Sequence, residues 1–398
     1  MRCNQFAAPL GLGTVLALAT ACPTATAQTA ATANDPRLAA AIDGVAAKAL
    51  ADKAAAGFAV AVLRDGRVLH AKGYGMADLE HRVPVAADTV FRVGSVTKEF
   101  TAAAVLKLAE AGKLSLDDRL DKYVPTFPRG GEITLRRLLD HTSGIRNFTS
   151  VPGFMSRAPR EFTTDEMVTL IAGATPLYDF APGTGWNYSN SAFYLLGIVI
   201  EKASGQRYAD YIRTALLAPA GLSTIAVDDM AEIVPGRAEG YDKAPGTPTG
   251  FRNAGHLSLS VAAAAGAARA TAVDLARWHE ALLGGRVIKP ASVRMMLEPG
   301  RVADGRLASA ARKLEPGETE PPSDFGLGIY ATTRNGRRSV GHGGSINGFN
   351  ANVQTFPAER MTVVLLTNTG GGTAPLMTNL TDAVFAVPGR APPGQSPK

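Results

Sequence analysis

Strand-forming and helix-forming stretches are segregated along this chain. Short β-rich runs lie towards both ends, and helical spacing dominates the middle. Phe58–Leu63 and Val68–Gly73 flank Asp65-Gly66, the pattern of a tight hairpin. Near the other end come Phe325–Thr333, Arg338–Gly341, Asn350–Phe356 and Met361–Thr367. Their short connections predict an antiparallel meander, followed by a final helix, Ala374–Phe385. In between, Ile133–Ile145, Thr164–Ala172, Ser191–Ala203 and Tyr208–Leu217 read as helices. Such segregation predicts an α+β fold with a mostly helical subdomain over about 129–254, beside a sheet part from about 30–128 and 255–390.

The chain opens on a short basic start, an apolar run from Phe6 to Ala21, and Ala25-Thr26-Ala27. That order reads as a secretory signal peptide over 1–27, cleaved near Ala27, and predicts a periplasmic or secreted protein. The apolar run is too short and too rich in Ala, Gly and Thr for a membrane span. Cys22, after Ala19-Thr20-Ala21, is a candidate lipid anchor. Cys3 and Cys22 are the two cysteines, so a chain cut after Ala27 has no disulfide, thiolate metal site or cysteine nucleophile. The formal charge of +6 is scattered and forms no basic run, so no nucleic-acid partner is expected. The six histidines are widely spaced and His-Glu-x-x-His is absent, so no metal is expected, and no cofactor motif is present.

Three short stretches carry chemistry. Ser95 and Lys98 are three residues apart at the expected start of a helix, on one face of its first turn. A serine hydroxyl needs a base, and a lysine held neutral by burial supplies one. Tyr188 and Asn190 emerge from a Pro/Gly-rich turn ahead of the helix at Ser191. In extended backbone both would face one cleft, the tyrosine relaying a proton and the asparagine amide holding a carbonyl and a lysine. His342, Gly343, Gly344 and Ser345 lie at an expected strand end, where glycines admit a substrate backbone and free N–H groups. His70 is expected at a surface or strand edge, Trp278 in the core and His279 in solvent.

Ser95-x-x-Lys98, Tyr188-x-Asn190 and His342-x-Gly344 occur in one order. Around them stand Leu138–Ile145, Tyr194–Glu201, Thr271–Trp278 and Phe325–Gly328. Together they resemble the serine β-lactamase and penicillin-binding-protein superfamily, in its class C-like branch. That branch holds D-aminopeptidases, D-Ala-D-Ala carboxypeptidases and β-lactamase-fold esterases. The resemblance spans roughly Leu38 to Val387. It implies an antiparallel sheet built from both chain ends, flanked by helices, with the site at its junction with the helical subdomain. It implies acyl transfer, with Ser95 as nucleophile and Lys98 and Tyr188 sharing the proton work. Asn190 would orient Lys98 and the substrate, and the N–H groups of Ser95 and Ser345 would form the oxyanion hole. His342 stands where the β-lactamases carry the lysine of Lys-Thr-Gly. It would bind a substrate carboxylate when protonated or hydrogen-bond the tyrosine when neutral, which turns expectation from β-lactams towards a peptide, including D-amino-acid or cell-wall peptides, or an ester.

Two other readings stay open: a class C-like β-lactamase, and a non-catalytic peptidoglycan-binding protein of the same fold. An α/β-hydrolase is disfavoured because Gly-x-Ser-x-Gly is missing; Gly343-Gly-Ser-Ile-Asn347 lacks the second glycine. Loops 151–160 and 243–255 are expected to shape the pocket.

Overall fold

The computed structural model describes residues 35–312, 324–372 and 374–387. The expected signal peptide, with Cys3 and Cys22, lies outside the described residues. The chain begins with α1 (Pro36–Ala51), β1 (Gly57–Arg64), β2 (Arg67–Asp78), β3 (Val83–Pro84), β4 (Phe91–Gly94) and α2 (Thr97–Glu110). A mainly helical stretch follows: α3 (Leu135–Leu139), α4 (Phe154–Arg157), α5 (Thr164–Ala172), α6 (Asn190–Ser204) and α7 (Tyr208–Tyr211). Next come β5 (Ala226–Val227), β6 (Tyr241–Lys243), β7 (Phe251–Asn253), α8 (Leu259–Gly266), β8 (Ala268–Ala270), α9 (Ala272–Leu283) and α10 (Pro290–Leu297). The last elements are β9 (Asp324–Phe325), β10 (Tyr330–Arg334), β11 (Arg337–Ile346), β12 (Phe349–Phe356), β13 (Met361–Thr367) and α11 (Ala374–Ala386).

Both chain ends build one eight-stranded antiparallel sheet, ordered β3-β2-β1-β13-β12-β11-β10-β9. The β1–β2 hairpin turns through Asp65 (φ 54°) and Gly66 (φ 78°), the pair of left-handed residues that suits the twist of its strands. Along β1, Ala59, Ala61 and Leu63 face a core shared with α2, α6 and α9, while Phe58, Val60 and Val62 face α1 and α11. Burial on both faces is why β1 and β13 read as unbroken apolar runs. Helix α2 lies inside the larger core and is covered nearly all round, with Thr97, Lys98, Glu99 and Thr101 fully buried.

Several elements depart from expectation. The helix expected over Ile133–Ile145 stops after Leu139. There the Asp140 carboxylate accepts from both Thr142 N–H and Thr142 Oγ1, and His141 takes φ 63°, so local side-chain bonding wins over the helix. The expected helix over Tyr208–Leu217 is α7 followed by a π-helical turn, Ile212–Leu217. The single strand expected over Phe325–Thr333 is broken into β9 and β10, because Leu327 and Gly328 turn inward to donate to the carbonyls of Met296 and Leu139. Strand β11 runs through His342 to Ile346 instead of ending at Gly341, because β12 pairs with it as far as Phe349. His70 is buried in β2 and 3.0 Å from Tyr74 Oη, not exposed. His279 is likewise buried: Nε2 is 2.8 Å from Glu99 Oε2 and Nδ1 3.0 Å from Thr355 Oγ1. Trp278 is in the core, where its indole N–H donates to the same Glu99 carboxylate.

Candidate active site

Ser95 occupies the turn between β4 and α2. Gly94 takes φ 51°, and Thr97 Oγ1 donates to its carbonyl at 2.6 Å while accepting from Ala268 N–H at 2.9 Å. Lys98 N–H then donates to the Ser95 carbonyl at 3.0 Å, which winds the first turn. The two side chains come to lie one above the other, as a three-residue spacing requires.

Lys98 is fully buried. Its Nζ lies 3.2 Å from Ser95 Oγ, 2.8 Å from Asn190 Oδ1 and 2.7 Å from the Ala265 carbonyl oxygen. The rings of Tyr188 and Phe193 cover it at 4.8 and 5.5 Å. Burial pushes its ammonium far below the usual lysine range. A neutral amine has two hydrogens and one lone pair. The two carbonyl oxygens accept the hydrogens, so the lone pair faces the Ser95 hydroxyl. The Ala265 carbonyl is presented by α8, whose path is broken at Ala263 (φ 34°).

Asn190 is the first residue of α6, capped by Ser189 Oγ, which accepts from Ala192 N–H at 3.2 Å. The extended Ser189 brings Tyr188 and Asn190 into one site, as expected from their spacing. Burial above all, with Tyr330 second, holds the Tyr188 phenol well above the usual tyrosine range, against the opposing effect of the Ser95 side chain.

Gly344 and Ser345 pack directly on this turn. A Cβ on Gly344 would sit 1.9 Å from the Val93 carbonyl oxygen and 3.0 Å from Ser95 N. One on Gly94 would sit 2.7 Å from Ser345 N. Two glycines therefore let the backbones of Ser95 and Ser345 approach each other.

His342 is buried among aromatic rings, 5.0 Å from Tyr330, 6.0 Å from Phe325 and 6.2 Å from Tyr188 between centroids. Burial above all pushes it down to about 3, against the bond to the Gly343 carbonyl. That carbonyl only accepts, so Nδ1 carries the proton. The structure thus holds a neutral His342 where the sequence suggested a group titrating near neutral pH, and it supplies no cation there for a carboxylate.

Beside Ser95 opens a cavity of about 260 Å³, lined by Asn190, Ser345 and Thr149 and by the apolar Phe148, Phe154, Leu257, Val261 and Ile346. Among the described residues, no charged side chain lines it. Loop 151–160 contributes Phe154 and Met155, as expected. Loop 243–255 lines an open polar groove instead, through Arg252, Asn253 and Gly255; the groove meets the cavity at Ser345, Ile346 and Asn347. Asn347 Nδ2 donates to the Gly255 carbonyl at 2.8 Å where the two join.

Sequence reasoning missed His141 and the buried Glu99. His141 lies under Tyr188, 4.5 Å between ring centroids. Its place in Leu138–Ile145 was a signal, but nothing in that phrase shows what the ring touches. Glu99 had no signal, since its partner His279 is 180 residues away.

Comparison with known proteins agrees with this fold. The Beta-lactamase family matches residues 42–386. A D-aminopeptidase of Gluconobacter oxydans is 27% identical over 314 residues, covering 78% of this chain and 55% of that one. Esterase EstB of Burkholderia gladioli is 38% identical over 201 residues, 46% of this chain and 50% of that one. The chain spans about half to two-thirds of the length of such curated relatives. Among solved structures, D-amino acid amidase from Ochrobactrum anthropi SV3, complexed with L-phenylalanine amide, superposes with a TM-score of 0.73 at 25% identity. The match covers 88% of this chain and 99% of that one. With nearly every described element inside the matched span, this chain belongs to the Beta-lactamase family, within the serine β-lactamase and penicillin-binding-protein superfamily.

Proposed function

We propose that this chain is an exported serine hydrolase that forms an acyl-enzyme on Ser95, acting on an ester or amide whose acyl group is apolar and uncharged. The observation that carries the reading is the three-way setting of Lys98 Nζ, with two carbonyl acceptors and the Ser95 hydroxyl. Ser95 Oγ attacks the substrate carbonyl carbon as its proton passes to the Lys98 lone pair. The carbonyl oxygen becomes an oxyanion held by the N–H groups of Ser95 and Ser345. The carbon–leaving-group bond then breaks, and Tyr188 hands the leaving atom a proton that Lys98 replaces. Water releases the acyl group by the reverse route. Tyr188 works as a phenol rather than a phenolate, since burial holds its proton on.

An activated serine is trapped by a fluorophosphonate. The mature protein is expected to gain one adduct, placed by peptide mass on the segment containing Ser95. A folded protein that takes no label would instead support the non-catalytic binding reading.

The uncharged cavity favours neutral acyl groups over β-lactams and free peptide carboxylates. Burying an unpaired carboxylate among apolar side chains costs several kcal/mol. An ethyl ester of a short fatty acid is therefore expected to exceed the half-ester of a dicarboxylic acid of equal length by about 10-fold or more in kcat/KM. Equal rates would count against this substrate class. D-aminoacyl amides, the substrates suggested by the names of several relatives, belong in the same panel.

A further inference from the structure

Tyr188 is bracketed by one residue. Asn187 N–H donates to the His141 carbonyl at 3.2 Å, and Ser189 N–H donates to His141 Nδ1 at 3.2 Å. The two flanking residues of Tyr188 thus hang on the main chain and the ring of His141. The ring itself packs on the Tyr188 ring, 4.5 Å between centroids. Because an amide N–H only donates, Nδ1 holds a lone pair and the ring proton is on Nε2. Trp186, Phe193 and Phe325 close around the ring, and Nε2 is buried without a polar partner among the described residues. His141 reaches this place through φ 63°, a conformation that asparagine tolerates better than most side chains.

We propose that His141 is the positioning residue for Tyr188: a neutral imidazole that holds the tyrosine hydroxyl in line with Ser95 and the leaving group. The inference rests on the acyl-transfer reading above. His141 does not line the cavity, so it acts on the reaction through Tyr188 and not through the substrate. Its acceptor is needed at one atom, Nδ1. The buried Nε2 bonds no described residue, so a side chain that restores only that end does not replace it.

The test compares His141→Asn with His141→Gln. Asparagine Oδ1 falls near the place of Nδ1 and accepts from Ser189 N–H. Glutamine places its amide further out, near Nε2. Each variant is assayed for kcat/KM, which reports acylation, on two esters of one acyl group. The ethyl ester needs a proton delivered to its leaving oxygen, and the p-nitrophenyl ester does not. His141→Gln is expected to lose about 50-fold on the ethyl ester and less than about 5-fold on the p-nitrophenyl ester. His141→Asn is expected to stay within about 5-fold of wild type on both. Should His141→Gln fail to fold, His141→Ala, which also lacks an acceptor there, takes its place. Equal losses on the two esters, or an asparagine variant as poor as the glutamine one, would overturn the proposal. Fluorophosphonate labelling of the wild type runs alongside. An unlabelled wild type takes down both the acyl-transfer reading and this one, whereas a labelled wild type with equal losses overturns this one alone.

Discussion

Lys98→Met is expected to lower kcat/KM by about 10⁴-fold, the scale on which hydrolases lose activity when a member of the nucleophile–base pair is removed. Methionine fills the space between the Tyr188 and Phe193 rings but offers no lone pair to the Ser95 proton. A second readout separates a lost base from a damaged fold. In the native state burial holds Lys98 neutral to far below its usual range, whereas in the unfolded chain it is protonated up to about pH 10.4. The unfolded state therefore binds one more proton than the native state throughout that window, and stability rises with pH there. Lowering the pH through the folded-state pKa ends the effect, because both states then carry the proton. Wild type is thus expected to gain stability across the alkaline range below pH 10.4, and Lys98→Met to lack that component of the slope. Denaturant midpoints at several pH values measure it. The same linkage governs rate: activity rises with pH as Lys98 loses its proton in the native enzyme, and the methionine variant has no such limb. An unchanged stability slope in the variant would show that Lys98 is charged when folded, and would assign the base role elsewhere.

What could be read in the sequence divides along chain separation. Ser95 and Lys98 are legible because one helical turn joins them, and Tyr188 and Asn190 because one extended residue does. The central strands of the sheet are legible for a related reason. Burial on both faces leaves β1 and β13 with apolar runs that need no partner to be recognised. What fails is whatever depends on distant neighbours. His342 looked like a titrating group because a histidine stands where the β-lactamases carry a lysine and ordinarily changes charge near neutral pH, yet Phe325, Tyr330 and Tyr188 bury it from elsewhere in the chain. His279 looked solvated on an amphipathic helix, yet its ring meets Glu99 and Thr355 from two other elements. The helix expected through His141 failed for a local reason, the competition of the Asp140 carboxylate for backbone N–H groups. That break is what turns His141 under Tyr188, so the misread element and the missed residue are one event.

Gly344→Ala separates a glycine needed for fit from one that is merely present, because Gly343 next to it supplies the control. A Cβ on Gly344 meets the Val93 carbonyl oxygen at 1.9 Å, closer than any real contact, and that oxygen belongs to backbone which cannot swing aside. On Gly343 the nearest atoms are Asn352 Nδ2 at 3.8 Å and the Ala351 carbonyl oxygen at 3.9 Å, which is ordinary packing. Relief at Gly344 requires β11 to move away from the turn holding Ser95 by roughly 1 Å, given usual carbon–oxygen contact distances. Strand β4 resists through its pairing with β8, and β11 through its pairing with β12, so the strain is shared between them. Ser345 N then leaves its place opposite Ser95 N. Misplacement of about 1 Å in a reacting geometry costs about 100-fold, and overpacking costs about 1–3 kcal/mol of stability. Gly344→Ala is therefore expected to lose about 100-fold in kcat and 1–3 kcal/mol in a denaturant titration. Gly343→Ala is expected to stay within about 3-fold of wild type, because no atom must move to admit its methyl group. Equal losses in the two variants would mean that strand flexibility, and not the approach of Ser345 to Ser95, sets the rate. Full activity in Gly344→Ala would mean that the oxyanion is not held between these two backbones.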